Sequence, residues 1–186
     1  TTENFGDYTG KTKGNHWDFT RFNPKHFQHI ENCIHRLGEL GIEADLIMMH
    51  PYDRWGFSQM TKEQDDLYWN YAVARFSAFA NVWWSLANEY DLMPHKAIQD
   101  WERYASILCE KDPYHHMRSI HNCVSLYDFS RPWITHCSVQ RTDLYKSSEI
   151  TNELRERYHK PVVLDEIAYE GDIQHGWGNL TGEEML

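Results

Sequence analysis

Two short apolar runs that each end in a glutamate constrain the fold of this chain most. The first covers residues 82–89 (VWWSLANE) and the second covers residues 161–166 (PVVLDE). Parallel strands that are covered on both faces are apolar throughout rather than alternating. The two runs therefore predict two buried parallel strands, with Glu89 and Glu166 at their carboxyl ends.

Helical and strand patterns alternate along most of the chain. Asn23 and Pro24 predict a helix start, and Thr61 with Gln64 forms a capping-box pattern for a second helix. The buried side of this second helix is expected to carry Leu67, Tyr71, Ala74, Ala78 and Phe79. Short connections join the elements, so the sequence predicts an α/β fold with a mostly parallel sheet. The further strand candidates are residues 41–49, 118–122 and 133–140, and the further helix candidates are residues 95–110, 146–159 and 181 onward.

The length of the chain bears on how complete this fold is. A whole (β/α)8 barrel takes about 250 residues, and the chain has 186 and stops as a helix begins. We therefore expect one barrel domain over residues 1–186 that is truncated at both ends, with residues 1–23 as a loop on the active-site side. Two unpaired sheet edges predict poor solubility and little or no activity for the isolated chain.

Composition excludes several classes of function. A net charge of −10, from 28 acidic and 18 basic residues, argues against a nucleic-acid partner. No apolar run is long enough to cross a membrane, and no signal-peptide pattern is present, which leaves the compartment open. The four scattered cysteines predict no disulfide framework. Neither a glycine-rich phosphate loop nor a GxSxG motif occurs, so the sequence supports neither a nucleotide cofactor nor serine-hydrolase chemistry.

Two carboxylic acids at the ends of barrel strands can serve as acid and nucleophile in glycoside hydrolysis. Alternation along the first strand places Ser85 on the same face as Glu89. Alternation along the second places Leu164 with Glu166 and turns Asp165 toward the helix layer.

Asn88-Glu89, Glu166 and the two strand candidates between them resemble the clan A retaining glycoside hydrolases, which include the cellulase-like (β/α)8 barrels. Residues 41–57 are similar to poorly characterised bacterial members. The resemblance implies that the chain holds strands three to seven, with Glu89 as the general acid/base and Glu166 as the nucleophile. It also implies an oligo- or polysaccharide substrate, whose 2-hydroxyl would bind Asn88.

Further side chains are expected near the same strand ends, where they could bind substrate hydroxyls or stack on sugar rings. These predicted substrate-binding residues are His50, Tyr52, Trp55, His121, Asn122, Gln140 and Trp177, in addition to Asn88.

Two other functions remain open at this stage. The chain could be a non-catalytic carbohydrate-binding relative of the barrel enzymes, or a metal-dependent hydrolase on the same barrel. The densest group of potential ligands is His115, His116 and His121 with Asp112, and it lacks HxH and HExxH spacing. The sequence therefore predicts no metal site and no cofactor.

Overall fold

The structure is a computed structural model and describes residues 17–52, 56–140, 149–172 and 178–185. Its elements alternate as the sequence predicts, in a mixed α/β arrangement with parallel strands. The helices are α1 (Pro24–Glu39), α2 (Lys62–Phe76), α3 (Ile98–Lys111), α4 (Glu149–Tyr158) and α5 (Gly182–Met185). The strands are β1 (Ala44–Ile47), β2 (Val82–Ser85), β3 (Arg118–Ser119), β4 (Cys137–Gln140), β5 (Val162–Glu166), β6 (Tyr169–Glu170) and β7 (Gly178–Leu180).

Two of the predicted helix starts are confirmed by their capping contacts. The side chain of Asn23 accepts a hydrogen bond from the backbone N–H of Lys25, and Pro24 is the first residue of α1. Thr61 and Gln64 exchange side-chain and backbone hydrogen bonds before α2, which is the predicted capping box. Each cap satisfies backbone groups that the first helical turn leaves unpaired.

The buried side of α2 differs from the prediction. Leu67 and Ala74 are exposed and Tyr71 is only half-buried. The prediction was wrong for Leu67, Ala74 and the exposed Ala78, because it took the apolar residues of this segment for its inner face, whereas Tyr71 and Phe79 are partly buried and pack against the core. The helix instead turns an acidic residue inward, and its buried positions are Asp65, Trp69, Ala72, Val73 and Phe76.

A buried lysine explains the inward carboxylate. Lys96 Nζ lies 2.6 Å from Asp65 Oδ2 and donates a second hydrogen bond to the carbonyl of Met60 at 2.9 Å. The hydroxyl of Tyr104, on α3, also donates to Asp65. Buried charges are stable when they are paired and hydrogen-bonded in this way. The ion pair therefore links α2 to α3.

The first sheet has the order β1-β2-β3, and both strand pairs are parallel. Ile47 pairs with Ser85, and Ser85 pairs with Ser119, so these residues lie on one face. Trp84 points to the opposite face, where its indole N–H donates to Asp112 at the end of α3. We call the face that carries Asp45, Ser85 and His121 the site face.

Hydrogen bonds connect β3 to the residues just before β4. The hydroxyl of Ser119 donates a hydrogen bond to the carbonyl of His136 at 2.7 Å. Thr135 and Arg118 exchange two further hydrogen bonds, of 2.8 and 2.9 Å. These contacts place β3 beside the start of β4.

The strands β4 and β5 form a second parallel pair with an irregularity at its carboxyl end. Val139 pairs with Leu164, but Gln140 pairs with Glu166, so Asp165 is an extra residue in β5. An extra residue of this kind is a β-bulge, which re-aims the side chains beside it. The last strands, β6 and β7, form a third parallel pair that the sequence did not indicate.

Among the helices that the structure describes, none combines the length and the apolar character needed to cross a membrane.

Candidate active site

Backbone hydrogen bonds extend beyond the strands and bring three chain segments together. The N–H of Asn88 donates to the carbonyl of Met49 at 2.9 Å. The N–H of His121 donates to Ala87 at 3.1 Å, and its carbonyl accepts from Tyr90 at 2.9 Å. The segments after β1, β2 and β3 are therefore fixed to one another at their carboxyl ends, which is where parallel α/β proteins place their ligand sites.

Glu89 is held in an unusual backbone conformation at this end. Its φ of 48° and ψ of 56° are left-handed, and it precedes the 3-10 helix Tyr90–Leu92. The side chain is buried and accepts hydrogen bonds from Asn88 Nδ2 at 3.3 Å and Gln140 Nε2 at 3.2 Å. The left-handed region costs a residue with a β-carbon about 1–3 kcal/mol. Such strain is concentrated at functional sites.

Two further donors face the Glu89 carboxylate. The hydroxyl of Tyr52 donates to Glu89 Oε2, and this hydrogen bond, with some burial, raises the pKa of Tyr52. The thiol of Cys123 also contacts Glu89, and burial together with this contact raises the pKa of Cys123 to about 11. Both groups therefore keep their protons near neutral pH and can donate them in hydrogen bonds.

Glu166 is the last residue of β5 and lines the cavity on the site face. Its Oε2 is 3.1 Å from His121 Nε2, and its Oε1 accepts a hydrogen bond from the Tyr169 hydroxyl. The hydrogen bond to Glu166, reinforced by desolvation, raises the pKa of Tyr169 to about 12. Glu166 is therefore bounded by a phenol on one side and an imidazole on the other.

Gln140 and His121 connect the two glutamates. Gln140 donates through Nε2 to Glu89 and accepts through Oε1 from His121 Nε2, at 2.9 Å. Both bridging side chains are buried. A continuous chain of contacts therefore runs from Glu89 through Gln140 and His121 to Glu166.

Asp165 belongs to this site, which corrects the prediction that it faces the helix layer. Its Oδ1 is 3.1 Å from His121 Nδ1, and its Oδ2 accepts a hydrogen bond from Ser138. The bulge explains the error, because the extra residue breaks the alternation that was counted along β5. Leu164 pairs with Val139 and so lies on the face opposite Ser138.

The charges of His121 and Asp165 stabilise each other. Burial disfavours the charged forms of both residues. For His121, the hydrogen bond and negative charge of Asp165 outweigh the effect of burial and raise the pKa of His121. In return, His121 and Ser138 outweigh burial and lower the pKa of Asp165. His121 therefore favours its cationic form and Asp165 its anionic form.

A third carboxylate, Asp45 of β1, faces the same space. Desolvation and the negative charge of Asp165 raise the pKa of Asp45 to about 6, although much of the residue is open to solvent. This exposure limits the size of the effect on stability. The space is a cavity of about 280 Å³ that is lined by Asp45, Ser85, Asn88, His121, Asp165 and Glu166, among others.

The remaining predicted site residues have different surroundings. His50 is exposed and follows Met49 at the end of β1. Asn122 is buried, and its amide exchanges hydrogen bonds with the backbone N–H and carbonyl of Gln140, at 3.3 and 3.4 Å. Its amide therefore joins β3 to β4. Trp55 and Trp177 lie outside the described residues.

The histidines that could suggest a metal site are separated by β3. Asp112 and His116 are in side-chain contact at 2.9 Å before this strand, whereas His121 follows it. Within the described ranges, no group of three or more His, Cys, Asp or Glu residues is arranged to hold a metal ion.

Sequence reasoning missed Asp165, Asp45, Tyr169 and Cys123. The spacing of Tyr169, three residues after Glu166, could have indicated a phenol beside the second glutamate. Asp45 could have been found from the pairing of the first strand with β2, because Asp45 is in register with Trp83. The bulge that re-aims Asp165 has no comparable signal in the sequence.

Comparison with known proteins indicates the family to which the chain belongs. The profile of the family described as "Apiosidase-like, catalytic domain" matches residues 1–185. The chain therefore belongs to the apiosidase-like catalytic-domain family. No curated protein matches it significantly.

Two solved structures from Bacteroides vulgatus ATCC 8482 are similar to the chain. A proposed glycoside hydrolase shares 45% sequence identity over 91% of the chain, with a TM-score of 0.87. A glycoside hydrolase family 5 protein shares 18% identity over 85% of the chain, with a TM-score of 0.61, which is a likeness of fold alone. The chain spans 34% and 38%, respectively, of the lengths of these two proteins.

Proposed function

We propose that the chain supplies the catalytic acids of a retaining glycoside hydrolase that acts on an oligo- or polysaccharide. In this proposal β1 to β5 are strands three to seven of a (β/α)8 barrel, residues 1–186 belong to one catalytic domain, and residues 1–23 lie on its active-site side. Glu89 is the general acid/base and Glu166 is the nucleophile. Family membership and the similarity to the proposed glycoside hydrolase support the class of reaction.

One observation carries the assignment of the two glutamates. Glu89 and Glu166 lie at the carboxyl ends of parallel strands and are joined through Gln140 and His121. A retaining mechanism needs two carboxyl groups on either side of the scissile bond, about 5–5.5 Å apart. The buried bridge supports this proposal because it fixes the two side chains relative to each other.

The proposed reaction has two balanced steps. The carboxylate of Glu166 attacks the anomeric carbon, the glycosidic C–O bond breaks, and Glu89 gives its proton to the leaving oxygen. Water then attacks the glycosyl–enzyme ester, Glu89 takes a proton from this water, and Glu166 leaves as a carboxylate. The amide of Asn88, which lines the cavity beside Glu89, is suited to bind the sugar 2-hydroxyl.

Chemical rescue of the full-length protein tests these roles. We expect Glu166→Gly and Glu89→Gly each to lower kcat on an aryl glycoside by roughly 10³-fold or more. Azide should restore turnover in both variants, giving the glycosyl azide of inverted configuration for Glu166→Gly and of retained configuration for Glu89→Gly. Glu110→Gln, at an exposed glutamate on α3, is the matched control and should keep wild-type activity.

The product anomer and the bound sugar distinguish the alternatives. Initial release of the inverted anomer by the wild-type protein would contradict the nucleophile role of Glu166. Saturable oligosaccharide binding without turnover would identify a non-catalytic carbohydrate-binding relative. Activity that is lost with a chelator and restored by a divalent metal would identify a metal-dependent hydrolase.

A further inference from the structure

His121 has an acceptor oxygen at each of its ring nitrogens. Nδ1 faces Asp165 Oδ1 at 3.1 Å, while Nε2 faces Gln140 Oε1 at 2.9 Å and Glu166 Oε2 at 3.1 Å. A neutral imidazole carries a proton on one nitrogen only, so it could serve only one of these two sides. An imidazolium carries a proton on each nitrogen and can donate to the acceptors on both sides.

The orientation of the Gln140 amide is consistent with this protonation state. Its Nε2 donates to Glu89, so its Oε1 is the atom that is left to accept from His121. The direction of donation therefore runs from His121 to Gln140 and from Gln140 to Glu89. If the amide were reversed, the His121 nitrogen would have to be an unprotonated acceptor.

We propose that Asp165 is a positioning residue that keeps His121 in its cationic form, and that this cation pairs with the Glu166 carboxylate and orients Glu89 through Gln140. The proposal rests on the function proposed above and adds a residue to its machinery. Asp165 reaches His121 only because the bulge in β5 turns two consecutive carboxylates toward one ring. An ionised Glu166 is required for nucleophilic attack.

The groups around His121 favour this charge state. Burial lowers the pKa of His136, which precedes β4 and feels the charge of Asp165, so this side chain is neutral near pH 7 and adds no competing positive charge. The other titratable groups that face the ring or its contacts are Asp45 on β1, Glu89 after β2, Asp165 and Glu166 on β5, and Tyr169 on β6.

The first experiment measures the charge of His121 directly in the full-length protein. The pH titration of its ring Cε1–H signal by NMR, assigned with a His121→Gln variant, should have a midpoint above the ordinary value of about 6.5. Asp165→Asn should lower the midpoint by about one pH unit or more. Ser138→Ala is the matched control, because it removes the neutral donor to Asp165 and keeps the ion pair, and it should shift the midpoint less.

The second experiment links this charge to catalysis. Asp165→Asn should lower kcat on an aryl glycoside about tenfold or more at neutral pH with a smaller change in KM. It should also move the alkaline limb of the pH profile to lower pH, so that acidification restores part of the activity. A merely structural role for Asp165 would lower activity without moving this limb.

The outcomes separate this proposal from the function on which it rests. A wild-type His121 midpoint at or below about 6.5 would overturn it whatever the Asp165 variant shows. So would an Asp165→Asn midpoint no lower than that of Ser138→Ala. If the full-length protein hydrolyses no glycoside, the proposed function fails, and the NMR titration still decides whether Asp165 holds the cation.

Discussion

Tyr52 is the most exposed side chain that contacts Glu89, with 64% of its surface open to solvent. Tyr52→Phe removes the hydroxyl that donates to Glu89 and leaves the ring in place. A hydrogen bond to a charged group contributes about 1.5–3 kcal/mol, so we expect kcat to fall roughly tenfold. Steady-state kinetics on an aryl glycoside measures this effect.

Tyr114→Phe is the matched control for that change. Tyr114 is 69% exposed and lies before β3, far along the chain from Glu89. It should retain the wild-type kcat and the wild-type unfolding temperature. A Tyr52→Phe variant with wild-type kcat would mean that this hydroxyl does not act on the Glu89 carboxyl during catalysis.

Asp45 should destabilise the protein at neutral pH. Its folded pKa of about 6 lies above the ordinary value of 3.8, so the unfolded chain gives up its proton first. The loss of folding stability caused by Asp45 therefore grows as pH rises from about 4 to about 6. Asp45→Asn should raise stability by about 1 kcal/mol above pH 6, a figure reduced for solvent exposure, and have little effect below pH 4.

Urea unfolding of Asp45→Asn and the wild-type protein at several pH values measures this difference. A gain that is equally large at pH 3 would show that the effect comes from packing and not from charge.

At the level of elements, a single carboxylate links the segment after β2 to the segment after β3. Asp91 accepts hydrogen bonds from the backbone N–H groups of Cys123, Val124 and Ser125, at 2.7 to 2.8 Å. Asp91→Ala should cost about 2–3 kcal/mol of stability, because three N–H groups lose a charged acceptor. It should also lower activity, since Cys123 contacts Glu89.

Hydrogen exchange at the three amides and urea unfolding measure the effect of Asp91→Ala. Asp128→Ala is the control, because the contacts of Asp128 with Ser130 and Arg131 lie within its own turn. It should cost about 1 kcal/mol. Unchanged exchange at residues 123–125 in Asp91→Ala would contradict the linking role.

The buried pair between α2 and α3 gives a second prediction at this scale. Lys96→Met removes the nearer cation of the buried Asp65 carboxylate and leaves the Arg103 guanidinium at 3.8 Å, which should cost about 3–5 kcal/mol of stability. Lys62→Met breaks the solvent-exposed pair with Asp66 and should cost about 1 kcal/mol or less. Chemical denaturation of the two variants measures the contrast, and equal losses would contradict the burial argument.

The helix caps could be predicted from the sequence because the groups that form them are close along the chain. Asn23 bonds a residue two positions away, and Thr61 bonds one three positions away. The inward Asp65 and the bulged Asp165 could not be predicted in this way. Their partners, Lys96 and His121, are distant in sequence, so their orientation depends on how the elements pair.

For the whole molecule, several aspartates make stability depend on pH. Hydrogen bonds and paired charges outweigh burial and lower the pKa values of Asp91, Asp112 and Asp165 below the ordinary value. Each contributes stability that is present above the unfolded pKa of about 3.9 and is lost as pH falls through the folded value. We expect the unfolding temperature to fall steeply below pH 4, by about 2–4 °C per kcal/mol lost.

Calorimetry between pH 2 and pH 7 measures this acid limb. Asp112→Asn should make it shallower, because this carboxylate accepts two backbone hydrogen bonds and the contact from His116. An unfolding temperature that stays constant from pH 5 to pH 2.5 would contradict the assignment.

For the whole molecule, the strands that carry the two glutamates could be predicted from the sequence, whereas the side-chain contacts between strands could not. Glu89 and Glu166 end apolar runs, so their place at the strand ends could be predicted from local pattern alone. The bridge through Gln140 and His121 depends on the order of β2 and β3 in one sheet and of β4 and β5 in another. That order, and the pairing of β6 with β7 near Tyr169, are properties of the folded chain and leave no trace in residue spacing.

The left-handed backbone at Glu89 has an evolutionary consequence. Glycine and asparagine adopt this conformation more readily than glutamate does, so the local backbone offers no advantage for retaining an acid at position 89. If the carboxylate is catalytic, selection for turnover alone keeps it there. Descendants that lost that selection should drift to glycine or asparagine at this position while retaining the fold. Such a replacement would mark a lineage that no longer cleaves its sugar.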